Sequence, residues 1–267
     1  MKISRKYYII VTITLLLLFV NIVIPMEAIV MGTSPNATRQ KYRPLIGGIQ
    51  IGVVKWSWFI PIYKGYCTIG YSAMDRNGLL GVVTAGHCSN WDLPVSVYQP
   101  DLWEHIGGFS YVNKTCDLGF IPYSNSAAKI LYIDIYNNSH IFDVNNIISW
   151  EYIDVWKNEI YNKTGRSTGT TDGYLVAASS DPGYDIICDS LGLKYCLFLT
   201  YYSEPGDSGA PVYELYPLPA KMEIRKLLLG HHWGRVTIDY GSYCIDLAVA
   251  ISVKGAIEAG FIPLVTG

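Results

Sequence analysis

From Leu45 onward, short runs rich in Val, Ile, Tyr, Trp and Phe alternate with clusters of Gly, Pro, Asn and Asp, a pattern that predicts strands punctuated by turns. Strands are expected over residues 46–56, 66–73, 79–84, 118–122 and 130–136. A second series is expected over 147–156, 173–178, 186–188, 197–202, 210–215, 226–230 and 235–239. Asp75-Arg76-Asn77-Gly78 reads as a hairpin turn, because Asn-Gly accepts the positive φ angles of a tight reversal. Helical character is confined to residues 248–259, so the chain is expected to end in a helix. His105 and His140 fall between runs and read as loop residues. Many short strands with one helix predict an all-β barrel or sandwich.

Ahead of this region, Met1-Lys2-Ile3-Ser4-Arg5-Lys6 leads into an apolar run from Tyr7 to Ile24. A positive flank followed by an apolar segment describes a secretory signal, residues 1–28, with cleavage after Ala28. At about 18 residues the run is also long enough to span a bilayer as an uncleaved anchor, and its positive flank would place the rest of the chain outside. A secreted or extracellular protein is expected, at the membrane only if this segment is retained. Gly32 to Arg43 is polar, so residues 29–44 read as a lead-in or short pro-segment, and 45–267 as the folded domain.

Composition narrows the function. Half of the residues are apolar and 16% are charged, against roughly 25% in a typical soluble domain, so a sizeable core is available. The formal net charge of −2, with no basic run after the first residues, argues against a nucleic-acid partner. Six cysteines follow the export segment, an even number that reads as disulfides in an exported chain. They allow fifteen pairings. Spacing favours Cys188 with Cys196, closing a hairpin around Leu191-Gly192-Leu193. No Cys-x-x-Cys or His-x-x-x-His pair supplies zinc-ligand spacing, and neither metal nor cofactor is expected. Asn36, Asn113, Asn137 and Asn162 open Asn-x-Ser/Thr sequons, which suit exposed loops of an exported protein.

The chemistry is concentrated in two words, Gly206-Asp207-Ser208-Gly209-Ala210-Pro211-Val212 and Val82-Val83-Thr84-Ala85-Gly86-His87-Cys88. A serine hydroxyl is almost un-ionised at neutral pH and attacks a carbonyl only if a base takes its proton as the bond forms. His87 has the intrinsic basicity for that task. A carboxylate must hold the imidazole in one tautomer, and the lone acid Asp117, entering the apolar run Leu118-Gly119-Phe120-Ile121-Pro122, is the candidate. An α/β-hydrolase would present Gly-x-Ser-x-Gly between a strand and a helix, with the acid and His after the Ser. His231 and His232 do follow Ser208, but Ala210 stands in place of the last glycine and the chain is rich in strands.

These words, with Cys67-Thr68-Ile69-Gly70-Tyr71, Thr164-Gly165-Arg166-Ser167-Thr168-Gly169-Thr170 and the ending Leu264-Val265-Thr266-Gly267, resemble the chymotrypsin-like serine proteases, in particular the bacterial secreted branch of the streptogrisins and alpha-lytic protease. The resemblance spans roughly residues 45 to 267. It implies a trypsin-like fold of two packed six-stranded antiparallel Greek-key β-barrels with a C-terminal helix. The first barrel would cover about 45–136, the second about 147–250, and the helix about 248–259. It implies a monomeric serine endopeptidase acting on polypeptide substrates, with catalytic His87, Asp117 and Ser208. The amides of Gly206 and Ser208 would line the oxyanion hole, and Tyr202, His232, Trp233 and Gly234 would contact substrate.

It further implies a Cys67–Cys88 disulfide, which leaves Cys116 with Cys244 by exclusion. Asp207 would be braced by a basic side chain, Lys163 with Arg166 nearby; the alternative reads both as surface charges. Of His231 and His232, adjacent on a strand, one is expected to face the core and the other a polar side. Three departures limit the resemblance. About 16 residues separate Ala28 from Leu45, too few for the long pro-domain of alpha-lytic protease. Tyr202 stands where bacterial relatives carry a cysteine. No aspartate marks the pocket base, which argues against a Lys/Arg preference. A homologue that has lost catalysis and binds peptides or proteins is the alternative function, and an esterase with the same triad is chemically allowed.

Overall fold

In the computed structural model the described residues are 36–266, apart from 59, 219–222, 240 and 242. The expected export segment, and all of the lead-in before Asn36, lie outside them. The rest of the lead-in packs on the domain: Asn36–Arg39 form a 3-10 turn, and the buried Thr38 donates its hydroxyl to the Arg166 carbonyl at 3.2 Å.

Nineteen strands among the described residues alternate with turns. In the first half, Gln50–Ser57 pairs antiparallel with Ile60–Thr68 and Ser96–Tyr98, and the latter with His105–Gly108. Leu80–Ala85 lies between Tyr71–Met74 and Leu118–Pro122, with Tyr111–Asn113 beyond. Leu45–Gly47 runs parallel to Ser126–Ile133, which pairs with Ser139–Asp143. In the second half, Ile160–Gly165, Gly169–Ala178, Cys196–Leu199, Cys244–Ser252, Glu223–Asp239 and Pro211–Leu218 pair in that order. Pro211–Leu218 pairs back to Ile160–Gly165, so the six strands form a closed cycle. Each half has its own apolar cluster, one around Ile51, Val82, Val97 and Ile121 and the other around Tyr161, Leu199, Val212 and Leu229. A third cluster joins the halves, uniting Tyr71 and Phe120 with Tyr213 and Leu228 under the C-terminal helix Val253–Ala259.

Several elements differ from the expectation for identifiable reasons. Residues 147–156 were expected as a strand, but Trp150–Trp156 is a 3-10 helix. Its three residues per turn align Trp150, Ile153 and Trp156 on one face against the second core. The expected strand 186–188 belongs to the α-helix Tyr184–Ser190, where Tyr184, Ile187, Cys188 and Leu191, at helical spacing, meet a single cluster. Cys188 and Cys196 are bridged, joining this helix to a strand rather than closing a hairpin. Residues 248–252 complete a strand instead of opening the last helix. Ala248 and Ala250 pack into one cluster and Val249 and Ile251 into another, so a run buried on both faces, rich in helix-favouring alanine, is extended. The helix begins only after Ser252, whose side chain accepts from the Lys254 N–H as a cap.

Residues 226–230 and 235–239 are parts of one seventeen-residue strand, Glu223–Asp239, whose register shifts between His232 and Gly234. Its first part pairs with Pro211–Leu218 and its last part with Cys244–Ser252. His105 and His140 lie on strands, not in loops. Cys116 and Cys244 do not pair, the first being buried and the second exposed. Cys116 lies against Gly255, just past one end of the strand Cys244–Ser252, and Cys244 starts its other end, about 26 Å away at the usual strand rise. Asn162 is a buried strand residue rather than an exposed loop sequon, while Asn36 and Asn137 are exposed.

Candidate active site

The strand Leu80–Ala85 delivers His87 into a 3-10 turn, Gly86–Ser89. The turn is fixed from both ends. The Cys67–Cys88 disulfide ties it to the strand Ile60–Thr68, and the Ser89 hydroxyl donates to the Gly86 carbonyl at 2.8 Å. Gly86 approaches Leu118 so closely that a Cβ there would lie 3.0 Å from its backbone N and O, and the Gly86 N–H donates to the Asp117 carbonyl at 2.7 Å.

Asp117 precedes the strand Leu118–Pro122 with φ of 40°, a left-handed conformation that costs a non-glycine residue on the order of 1–3 kcal/mol. The twist aims its carboxylate back at His87. Oδ1 accepts from the His87 backbone N–H at 2.9 Å, and Oδ2 lies 2.9 Å from Nδ1. Asp117 is fully buried, whereas the His87 side chain is 33% exposed. A carboxylate only accepts hydrogen bonds, so Nδ1 carries the proton and Nε2 is left as the bare, basic nitrogen.

Ser208 comes from the other half. Its carbonyl accepts from the Thr68 N–H at 2.9 Å, next to the cysteine that anchors the His87 turn. Gly209, at φ 87°, allows this approach, since a Cβ there would fall 2.2 Å from the Thr84 hydroxyl. Gly206, at φ 103°, has its carbonyl tied to the Thr68 hydroxyl at 2.8 Å. The backbone N–H groups of Gly206 and Ser208 donate to no acceptor among the described residues, so both remain available to an oxyanion.

Between these two lies Asp207, which is fully buried. It takes hydrogen bonds from Lys163 at 2.8 Å, the Thr168 hydroxyl at 2.7 Å, and the N–H groups of Ser167 at 2.8 Å and Glu204 at 3.1 Å. Burial alone would raise its pKa. The Lys163 charge and the hydrogen bonds of Lys163, Thr168 and Glu204 outweigh it and hold the carboxyl below its ordinary range. Lys163 is also fully buried, which removes the surface-charge alternative. Arg166 turns elsewhere, to Gln50 at 2.6 Å and over the Tyr66 ring. Gly165 makes room, as a Cβ there would meet the Asp207 carboxylate at 2.3 Å.

An open cleft of about 560 Å³ is lined by His87, Trp91 and Lys114 from the first half and by Leu193 and Trp233 from the second. Trp233 therefore faces the same space as His87. Gly234 has nothing within 4 Å of where a Cβ would stand. Tyr202 is half-buried, with its hydroxyl donating to Glu204 at 2.5 Å and Arg235 stacked over its ring. His232 stands apart from these three. It is 2% exposed, its ring is bonded to the Tyr201 hydroxyl at 3.0 Å, and its backbone N–H and carbonyl are taken by Ala210 and Gly209. His231 is buried as well, so both members of the pair face the interior. The cleft wall at Leu191–Leu193 and the Thr168 and Ser167 contacts to Asp207 went unread in the sequence; the Thr-rich word around Gly165 was the signal for the second. Among the described residues no group of three His, Cys, Asp or Glu side chains could hold a metal, and no helix is long and apolar enough to cross a membrane.

No family model matches the chain. Streptogrisin-A of Streptomyces griseus is 27% identical over 176 residues, which cover 65% of this chain and 50% of the relative; the chain thus spans about half the length of the curated relative it matches. Chymotrypsin of Cellulomonas bogoriensis superposes with a TM-score of 0.52 at 19% identity, over 83% of this chain and 98% of its own. Nocardiopsis protease gives 0.54 at 18%, over 82% and 97%. A serine protease described as glutamic acid specific, using a histidine triad in substrate binding, gives 0.55 at 19%, over 82% and 100%. A histidine turn held by a buried aspartate and a serine loop braced from the opposite half thus sit on a scaffold with the fold of the chymotrypsin-like bacterial serine proteases, which the chain resembles.

Proposed function

We propose that the chain is an exported serine endopeptidase that hydrolyses polypeptides through an acyl-enzyme. The observation that carries the reading is the His87–Asp117 pair. A fully buried carboxylate 2.9 Å from Nδ1 of a partly exposed histidine fixes the tautomer that a general base needs. Ser208 attacks the scissile carbonyl, and His87 Nε2 accepts its proton and passes it to the leaving amine. The Gly206 and Ser208 amides hold the oxyanion. Asp207, paired with Lys163, takes no part in proton transfer and fixes the loop between the two amides. The substrate backbone lies along Trp233 and Gly234, with Tyr202 at the pocket wall. Two disulfides among the described residues suit an oxidising exterior.

The glutamate preference of one structural relative is not extended to this chain, because His231 and His232 are both buried and bonded internally. Casein digestion compared with p-nitrophenyl ester hydrolysis tests the reading. The wild type cleaves both, Ser208→Ala loses on the order of 10⁶ in kcat, and Asp117→Asn loses about 10⁴. Ester turnover without peptide cleavage would make it an esterase. Folded protein inert to both substrates would mark a homologue that only binds.

A further inference from the structure

Behind the catalytic pair lies a buried histidine that the chemistry above does not use. His231 is fully buried on the strand Glu223–Asp239, and its Nε2 lies 3.0 Å from the Asp117 main-chain carbonyl. A carbonyl only accepts, so Nε2 carries the proton and Nδ1 is bare. Nδ1 has no hydrogen-bond partner among the described residues, nor has the hydroxyl of Tyr71, whose ring centre is 6.2 Å away.

Placing an imidazole in an apolar interior is costly, and satisfying the Asp117 carbonyl does not require it. That oxygen already receives the Gly86 N–H at 2.7 Å. The second donor has a geometric consequence instead. With φ of 40° at Asp117, its carboxylate meets His87 while its carbonyl takes both the Gly86 N–H and the His231 ring. Gly86 fixes that carbonyl to the His87 turn, and His231 fixes it to the strand that runs on into His232, Trp233 and Gly234. The strained residue is thus clamped between the base and the substrate strand.

We propose that His231 is a positioning residue: its Nε2–H holds the Asp117 peptide in the left-handed conformation that presents the carboxylate to His87, and so couples the strand Glu223–Asp239 to the catalytic base. This rests on the endopeptidase reading for its kinetic consequence, though not for the geometry. The ionisable groups around the clamp are Asp117 and Cys116 from the loop, His87 from its turn, Tyr71 from the strand Tyr71–Met74, and His232 and Lys114 at its margins. Burial, opposed by the Asp117 charge and its carbonyl hydrogen bond, lowers the His231 pKa. His231 therefore stays a neutral donor where His87 acts as base.

The test compares three replacements in the mature protein. The side-chain amide of glutamine reaches the place of Nε2, that of asparagine only the place of Nδ1, and leucine donates nothing. His231→Gln should keep kcat within about threefold of the wild type. His231→Asn and His231→Leu should lose about 10- to 100-fold in kcat with little change in KM, the range expected when a catalytic group is misplaced. In those two the acid limb of kcat/KM should move to lower pH, because a carboxylate held less firmly stabilises the His87 cation less. If all three variants fall equally, or if folded Asn and Leu variants keep the wild-type limb and kcat, the proposal is wrong. Should leucine prevent folding, the Gln and Asn variants decide. An NMR titration of His87 reads the same shift without turnover, so a protein inert to substrate would defeat the endopeptidase reading while leaving the clamp decidable.

Discussion

At the scale of single residues, the site depends on buried polar groups that are tolerated only because each has a partner. Lys163 and Asp207 are both fully buried and 2.8 Å apart. Removing one partner of such a pair leaves an uncompensated charge, which costs about 3–5 kcal/mol. Lys163→Met should therefore lower the unfolding free energy by that amount and disorder the Gly206–Ser208 loop, read as lost reactivity of Ser208 in the fraction still folded. His232 makes a second residue-scale prediction. Burial first, then repulsion from Lys163, lowers its pKa from 6.5 to about 3. The unfolded chain therefore binds a proton that the folded one refuses. The associated stability is present above about pH 6.5 and is lost as the pH falls toward 3. Between pH 7 and pH 5 this one group should remove about 2 kcal/mol. Urea titrations at the two pH values should show that loss, and His232→Phe should flatten it.

At the scale of elements, the His87 turn is a short segment with little core of its own, held by the Cys67–Cys88 bridge and by Asp117. The bridge spans a separation of 21 residues, for which loop closure in the unfolded chain gives a stabilisation of about 3 kcal/mol. A Cys67→Ala/Cys88→Ala double variant should lose about that much in thermal or urea unfolding. Hydrogen exchange should rise first at Gly86–Asn90, ahead of the strands that flank it.

The same scale shows what the sequence made legible. Alternation and turn residues marked Leu118–Pro122 to the residue and Leu80–Ala85 within one, because both are short strands bounded by clear breaks. Trp150–Trp156 and Tyr184–Ser190 were missed because a few apolar residues spaced by three or four look like a strand when only their composition is weighed. Cys244–Ser252 was half lost to its alanines, whose helix preference is overridden where both faces are buried. The seventeen-residue strand was split in two because the register shift near Gly234 resembles a break.

At the scale of the whole molecule, the site is a product of two halves that meet through the cluster of Tyr71, Phe120, Tyr213 and Leu228. His87 and Asp117 come from one half; Ser208, Trp233 and the Lys163–Asp207 brace come from the other. The order of the motif words along the chain announced the candidate nucleophile, base and acid, since each sits in a short, chemically constrained phrase. What could not be read was everything set by the junction. The inward turn of both His231 and His232, the left-handed Asp117 and the cleft wall at Leu193 follow from how the halves pack, which no local pattern encodes.

The central claim is that Ser208 is activated by His87 across that junction. It is tested most directly by treating the mature protein with a fluorophosphonate and locating the adduct by peptide mass spectrometry. The account predicts stoichiometric modification of Ser208 in the wild type, abolished in His87→Ala and sharply slowed in Asp117→Asn. A folded wild type that leaves Ser208 unmodified, or labelling that persists unchanged without His87, would contradict it.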